Sequence, residues 1–181
     1  MPRFANAETL TCAWAAGAAP DGRTRAGNFT FVGPALFYHD GAIACLHNVA
    51  GTPFATVTSR RPTTTRAARP LALAVDALSR TDLHVFIVPA VIPRTAADHA
   101  ANVAHLLDEA RSTVSQAVEA RAIGAMRSLL LSVSRRLVRH AADYAAMLID
   151  PAALALPDLV FADWLQEHGY DAVAHALRSY N

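Results

Sequence analysis

TAADHAANVAHLLDEARSTVSQAVEARAIGAMRSLLLSVSRRLVRHAADYAAMLI runs from Thr95 to Ile149. Its apolar positions fall at Val103, Leu107, Ala110, Val114, Val118, Ala122, Met126, Leu129, Val133, Leu137, His140, Tyr144 and Leu148. Steps of three or four residues keep one side of an α-helix apolar. Thr95 with Asp98 reads as a capping-box start, with Asp in place of the more usual Glu. Asp150-Pro151 reads as the stop, because the residue before a proline is pushed out of the helical region. An unbroken helix of this length would be roughly 80 Å long, wider than a domain of this size. A break near Arg121-Ala122-Ile123-Gly124 is therefore expected, giving two helices that fold back on each other.

Upstream the period changes. Phe29–Val32, Ala35–Tyr38, Ala42–Leu46 and Phe54–Thr58 are short β-type runs separated by Gly33-Pro34, by His39-Asp40-Gly41 and by a loop from Asn48 to Pro53. Such punctuation predicts an antiparallel meander, with Asp40-Gly41 as a hairpin turn. Leu71, Val75 and Leu78 return to helical spacing behind the capping candidates Thr63, Thr64 and Thr65, with Pro70 tolerated only near the first turn. Leu83–Val88 reads as one more strand. Residues 1–27 carry little pattern: Leu10–Trp14 reads as a short strand and Pro20-Asp21-Gly22 as a turn. Strands, a short helix, a strand and then helices predict an α+β fold. The expected division is a β-rich part over 1–93 and a helical part over 94–181, within one compact domain.

The chain has 181 residues, 53% of them hydrophobic and 17% charged, which is ample material for a core. Its net charge of +1 and pI of 7.9 argue against a strongly electrostatic nucleic-acid binder. All sixteen cations are arginine, so each one can make bidentate contacts. Cys12 and Cys45 lack CxxC spacing and read as reduced thiols. The N-terminal residues lack the apolar run of a signal peptide, and no window is apolar enough to span a membrane. A cytoplasmic protein with no membrane association is the expectation.

Two short segments resemble known families. Asp158-Leu159-Val160-Phe161-Ala162-Asp163-Trp164-Leu165-Gln166-Glu167-His168-Gly169, followed by Ala174 and Leu177-Arg178, resembles the "LVFADWLEEHG" segment of the repeat-companion domain of planctomycete and phage proteins. Gln166 stands where that family commonly has Glu. The resemblance implies a helical pair and no reaction. Physically, Leu159, Ala162, Trp164 and Leu165 form an apolar face, and Gly169 is a helix stop. Residues 28–90 weakly resemble a small phage-encoded domain with a Ser-x-Thr-Thr-x-x-His box. Thr63 and Thr64 match the box, but Arg61 and Ala67 replace its Ser and His.

Chemistry is sparse. The eight histidines show neither H-E-x-x-H nor finger spacing, so no metal and no cofactor are expected. G-x-S-x-G and nucleotide-binding glycine patterns are missing. Cys45 shares a strand face with His47, which admits a small cysteine-dependent enzyme with His47 or His84 as base; a buried, neutral thiol is the commoner outcome. The richest cluster is cationic: Arg127, Arg135, Arg136 and Arg139 in the long helical stretch, and Arg60, Arg61, Arg66 and Arg69 around the Thr box. These eight are the candidate contacts of a non-enzymatic accessory protein, phage- or mobile-element-related, that binds a macromolecule. A protein partner is expected first and nucleic acid second; inhibition of a host defence complex fits by analogy. Self-association through the long helices, with Leu130 and Leu131 on the outer face, is the remaining alternative.

Overall fold

The computed structural model describes residues 1–59, 65–89, 92–119, 124–149 and 159–171, with only the backbone described for 65–67, 149 and 159–162. The chain forms two compact units, Met1–Asn102 and Val103–Asn181. Unit 1 is built on seven strands that lie side by side in chain order: β1 (Arg3–Phe4), β2 (Asp21–Thr24), β3 (Phe29–Val32), β4 (Ala35–Tyr38), β5 (Gly41–Val49), β6 (Thr52–Thr58) and β7 (His84–Val88). The inner pairs from β2 to β6 are antiparallel, while β1–β2 and β6–β7 are parallel. Parallel neighbours need a crossover. Helix α1 (Ala7–Ala15) supplies the first and α2 (Thr65–Ser79) the second.

The expected meander is present, with tighter turns than its sequence suggested. The predicted loop from Asn48 to Pro53 shrinks to Ala50-Gly51, because Val49 pairs with Thr52 and Asn48 with Pro53. Both turn residues have positive φ, 51° and 86°, matching the right-handed twist of the flanking strands. The preceding hairpin turns on His39-Asp40, one residue earlier than expected, with His39 at φ 52° and Gly41 already in β5.

Two readings of the first 27 residues are corrected. Leu10–Trp14 is part of helix α1, and Asp21-Gly22 opens strand β2. Asn6 accepts from the Thr9 N–H at 2.9 Å and caps α1. Leu10, Thr11, Trp14 and Ala15 then fall on one buried face. Five residues with four apolar side chains and one threonine look alike as strand or helix; only the surface they meet decides. In β2, Gly22 lets the rings of Phe4 and Phe31 close over the strand: a Cβ there would sit 2.5 Å from both. In α2, Pro70 lies in the second turn, further in than expected, and the N-cap falls outside the described residues.

The core of unit 1 lies between the sheet and α1 and α2. Phe29, Phe31, Leu36, Ala44, Ala55 and Val57 meet Leu10, Trp14, Ala74 and Leu78 there. Trp14 is 1% exposed and donates from Nε1 to the Pro34 carbonyl at 2.8 Å, tying α1 to the β3–β4 turn.

Helix α3 (Ala96–Glu119) runs from unit 1 into unit 2, and α4 (Gly124–Ile149) packs against it. The long stretch is thus two helices, with residues 120–123 outside the described ones. Thr95 and Asp98 cap α3 reciprocally: Thr95 Oγ1 accepts from the Asp98 N–H, and Asp98 Oδ2 accepts from the N–H groups of Arg94 and Thr95. Helix α5 (Leu159–Glu167) adds Trp164 and Leu165 to a core with Ala110, Val114 and Val138. Gly169 at φ 78° ends α5, with Tyr170 N–H returning to the Leu165 carbonyl. The second helix of the expected C-terminal pair lies outside the described residues.

One correction concerns which side of α4 is buried. On α4, Met126, Leu129 and Val133, expected on the inner seam, are 52%, 58% and 39% exposed, as is Val118 near the end of α3 at 48%. Ser134, Val138 and Ala141 are buried instead, and Ser134 Oγ donates to the Ala110 carbonyl at 3.0 Å. From Ser134 to Ala141 that face is rotated by about 100° from the expected seam, which returns at the fully buried Tyr144. The buried Ser134 hydroxyl is satisfied by its carbonyl partner on α3. Leu131, placed on the outer face by its sequence, packs on the helical core, and Leu130 is half-buried.

Trp14→Ala should destabilise unit 1 by about 3–5 kcal/mol in urea unfolding, and Trp14→Phe, which keeps most of the packing but strips the Pro34 carbonyl of its donor, by about 1–2 kcal/mol. Equal effects of the two changes would show that the indole hydrogen bond, rather than packing, dominates.

Candidate functional site

The sheet face of unit 1 away from α1 and α2 brings together Cys45, His47 and His99. Pairing of β5 with β6 sets Cys45 opposite Thr56 and His47 opposite Phe54, all four on that face because strand side chains alternate. The first turns of α3, held in place by the Thr95–Asp98 cap, bring His99 onto the same spot. Its ring lies 5.0 Å from that of His47, edge to face, and 6.2 Å from Phe54. His47 stacks on Phe54 at 4.8 Å, and its Nε2 meets the fully buried Thr56 hydroxyl at 2.9 Å. Phe86 closes the patch edge-on against Phe54.

The electrostatics there favour neutral groups. Burial pushes the Cys45 thiol up to about 11, against a weaker downward pull from Arg94. Burial, and then the neighbouring His99, pulls His47 down to about 4. His99 is lowered by burial as well, partly offset by Asp98. Asp98 itself is held below the usual carboxylate range by the backbone N–H of Arg94 and the Thr95 side chain. A nucleophilic cysteine needs a thiolate beside an imidazolium, and both groups are driven the other way. Cys45 Sγ instead donates to the Leu46 carbonyl at 3.4 Å. His84, the other base considered, is exposed on β7 in register with Phe54 rather than with Cys45. No group of three or more His, Cys, Asp or Glu side chains comes together to hold a metal among the described residues.

The arginine candidates have unequal standing. Arg60 and Arg61 lie outside the described residues, as does the side chain of Arg66. Arg69 is exposed on α2. On α4, Arg127, Arg136 and Arg139 are exposed and Arg135 is half-buried. Arg139 approaches Asp143 at 3.9 Å, a loose surface pair of little energetic weight. The apolar stripe Met126–Leu129–Val133 runs among these cations. The arginines were visible in the sequence, whereas the stripe was not, because its spacing also suits a buried seam.

A second concavity, of about 480 Å³, opens in unit 1 between the starts of α1 and α2 and the β3–β4 strands. Its walls include Phe29, Tyr38 and Leu73, with Asn28 and Arg69. Of these only Arg69 had been singled out from sequence; the others come from three elements brought together by the fold. Among the described residues, no helix is long and apolar enough to cross a membrane. Comparison of the chain with family models, with curated proteins and with solved structures gives no match.

Two measurements follow from the buried face. Cys45 at about 11 instead of 9.0 has roughly 100-fold less thiolate near neutral pH, so iodoacetamide should label it only after unfolding. Rapid labelling of the folded protein at Cys45 would restore the enzymatic alternative. Because the folded-state value of His47 is depressed, the unfolded chain binds the extra proton below pH 6.5, and stability falls as the pH drops from there towards about 4. Allowing for solvent that still reaches the ring, the loss should be about 1–2 kcal/mol in urea titrations. His47→Gln, which preserves a partner for Thr56, should flatten the profile in that window.

Proposed function

We propose that this chain is a non-enzymatic accessory protein that docks a protein partner along the N-terminal half of α4. The observation that carries this reading is the exposure of every residue from Gly124 to Leu129, including Met126 and Leu129, with Val133 one turn further on. Large apolar side chains at helical spacing on an exposed helix face are what a binding surface requires. Covering a half-exposed leucine, methionine and valine contributes about 1–1.5 kcal/mol each, enough to anchor a contact but too little to define it alone.

Charge defines the partner. Between Glu119 and Asp143 the sequence has five arginines, Arg121, Arg127, Arg135, Arg136 and Arg139, and no acidic residue. A second copy docked α4 against α4 would set arginine against arginine, which disfavours self-association through this face. A surface with an apolar centre and a carboxylate rim fits it, and each bidentate arginine–carboxylate contact adds orientation. The small net charge of +1 and the apolar centre of the face favour protein over nucleic acid. The likeness of the C-terminal segment to phage and planctomycete proteins suggests that the partner is a bacterial host protein.

The test is a pull-down from a GC-rich bacterial lysate with and without nuclease. It compares the wild type with Leu129→Asp and with Arg127→Glu/Arg136→Glu/Arg139→Glu. A partner that survives nuclease and is lost at least about tenfold with either variant supports the reading, since changes at these exposed positions should leave the melting temperature nearly unchanged. Retention of the same proteins by all three chains, or loss of all of them with nuclease, refutes it. Light scattering on the wild type should give the monomer mass of 19.3 kDa.

A further inference from the structure

We propose that the cleft between α1, α2 and the β3–β4 strands of unit 1 binds a small organic anion with an aromatic or branched apolar body. It lies in a different unit from the α4 face and rests on separate observations. Its volume of about 480 Å³ is within the range of small-molecule sites. Phe29 and Leu73 supply apolar walls, and the Tyr38 ring packs 5.1 Å from Phe29, making an aromatic corner.

The polar groups in that cleft are of one kind. Among the described residues, the Arg69 guanidinium has no carboxylate partner and the Tyr38 hydroxyl no hydrogen-bond partner. The Asn28 Oδ1 is already occupied, accepting from the Thr24 hydroxyl at 3.0 Å, which leaves its amide N–H groups to offer. The Asn28 carbonyl is likewise used, accepting from the His39 N–H at 2.8 Å. Three donors on apolar walls, one of them a permanent cation, select a ligand with an acidic head and an apolar body. No acidic side chain is among the described lining residues. The surrounding chain adds to the bias: from Gly22 to Val75 there are six arginines and a single acid, Asp40, which is exposed in the β4–β5 turn. A carboxylate or a phosphate monoester would satisfy the same donors.

The probes are 2-naphthylacetate, 2-naphthyl phosphate and the uncharged 2-(2-naphthyl)ethanol, titrated into the full chain while backbone amide resonances are followed. Shifts should concentrate at Asn28, Phe29, Tyr38 and Leu73, and one or both anions should bind at least about tenfold more tightly than the alcohol. Arg69→Gln should abolish that preference. Leu73→Trp, which fills the cleft, should weaken all three probes, while Arg80→Gln at the far end of α2 should change nothing. Whichever anion binds more tightly assigns the acidic group. Three outcomes overturn the proposal: no shifts at these residues up to the solubility of the probes, equal affinity for anion and alcohol, or an anion preference that survives Arg69→Gln. Because the probes report on unit 1 alone, failure here leaves the α4 docking face standing, and the converse also holds.

Discussion

The pairing of β5 with β6 is the constraint on which unit 1 depends. Six residue pairs lock two long strands across the two-residue turn Ala50-Gly51, and both faces of β6 are buried from Phe54 to Val57. A slip of one residue would exchange Ala55 and Val57, which meet the helices, for Phe54 and Thr56, which meet His47 and Phe86. Both packing layers would fail together. The register therefore sets the helical core on one side and the thiol–imidazole patch on the other. The two parallel strands at the edges follow, since each crossover helix must return to the face that the register leaves apolar.

In unit 2 the corresponding choice is made by small side chains. Ala110, Ser134 and Ala141 are buried, and the Ser134 hydroxyl donates to the Ala110 carbonyl. Once that face is taken, Met126, Leu129 and Val133 have no room inside and are left on the surface beside the arginines. An apolar stripe and a cationic face thus arise from one packing decision. In the buried patch of unit 1, burial shifts Cys45, His47 and His99 towards their neutral forms.

Local signals were read well where they are self-contained. The Thr95–Asp98 capping box, the Gly169 stop and the strands from Phe29 to Thr58 rest on neighbours within a few residues, while the two-helix form of the long stretch follows from its length against the size of a domain. Leu10–Trp14 is a helix where a strand was expected, because five residues are too few to show a period. The loop at Asn48–Pro53 was overestimated because asparagine, glycine and proline mark a turn without giving its length; only the opposite strand does so. The arginines were legible by count, whereas the cleft around Asn28 and Tyr38 was not, because its walls come from segments far apart in the chain.

Composition and periodicity by themselves determined the α+β class, the positions of most strands, the capped start and the break of the long helical stretch, and the excess of arginine around it. Those are consequences of bonds and contacts within one or two turns. The tertiary structure alone decided which face of α4 is buried, that Cys45 is a buried thiol on the same sheet face as His47, and that Arg69 overlooks an aromatic cleft. Each of these depends on which distant surface a side chain meets, and desolvation and close packing are properties of that meeting rather than of the residue.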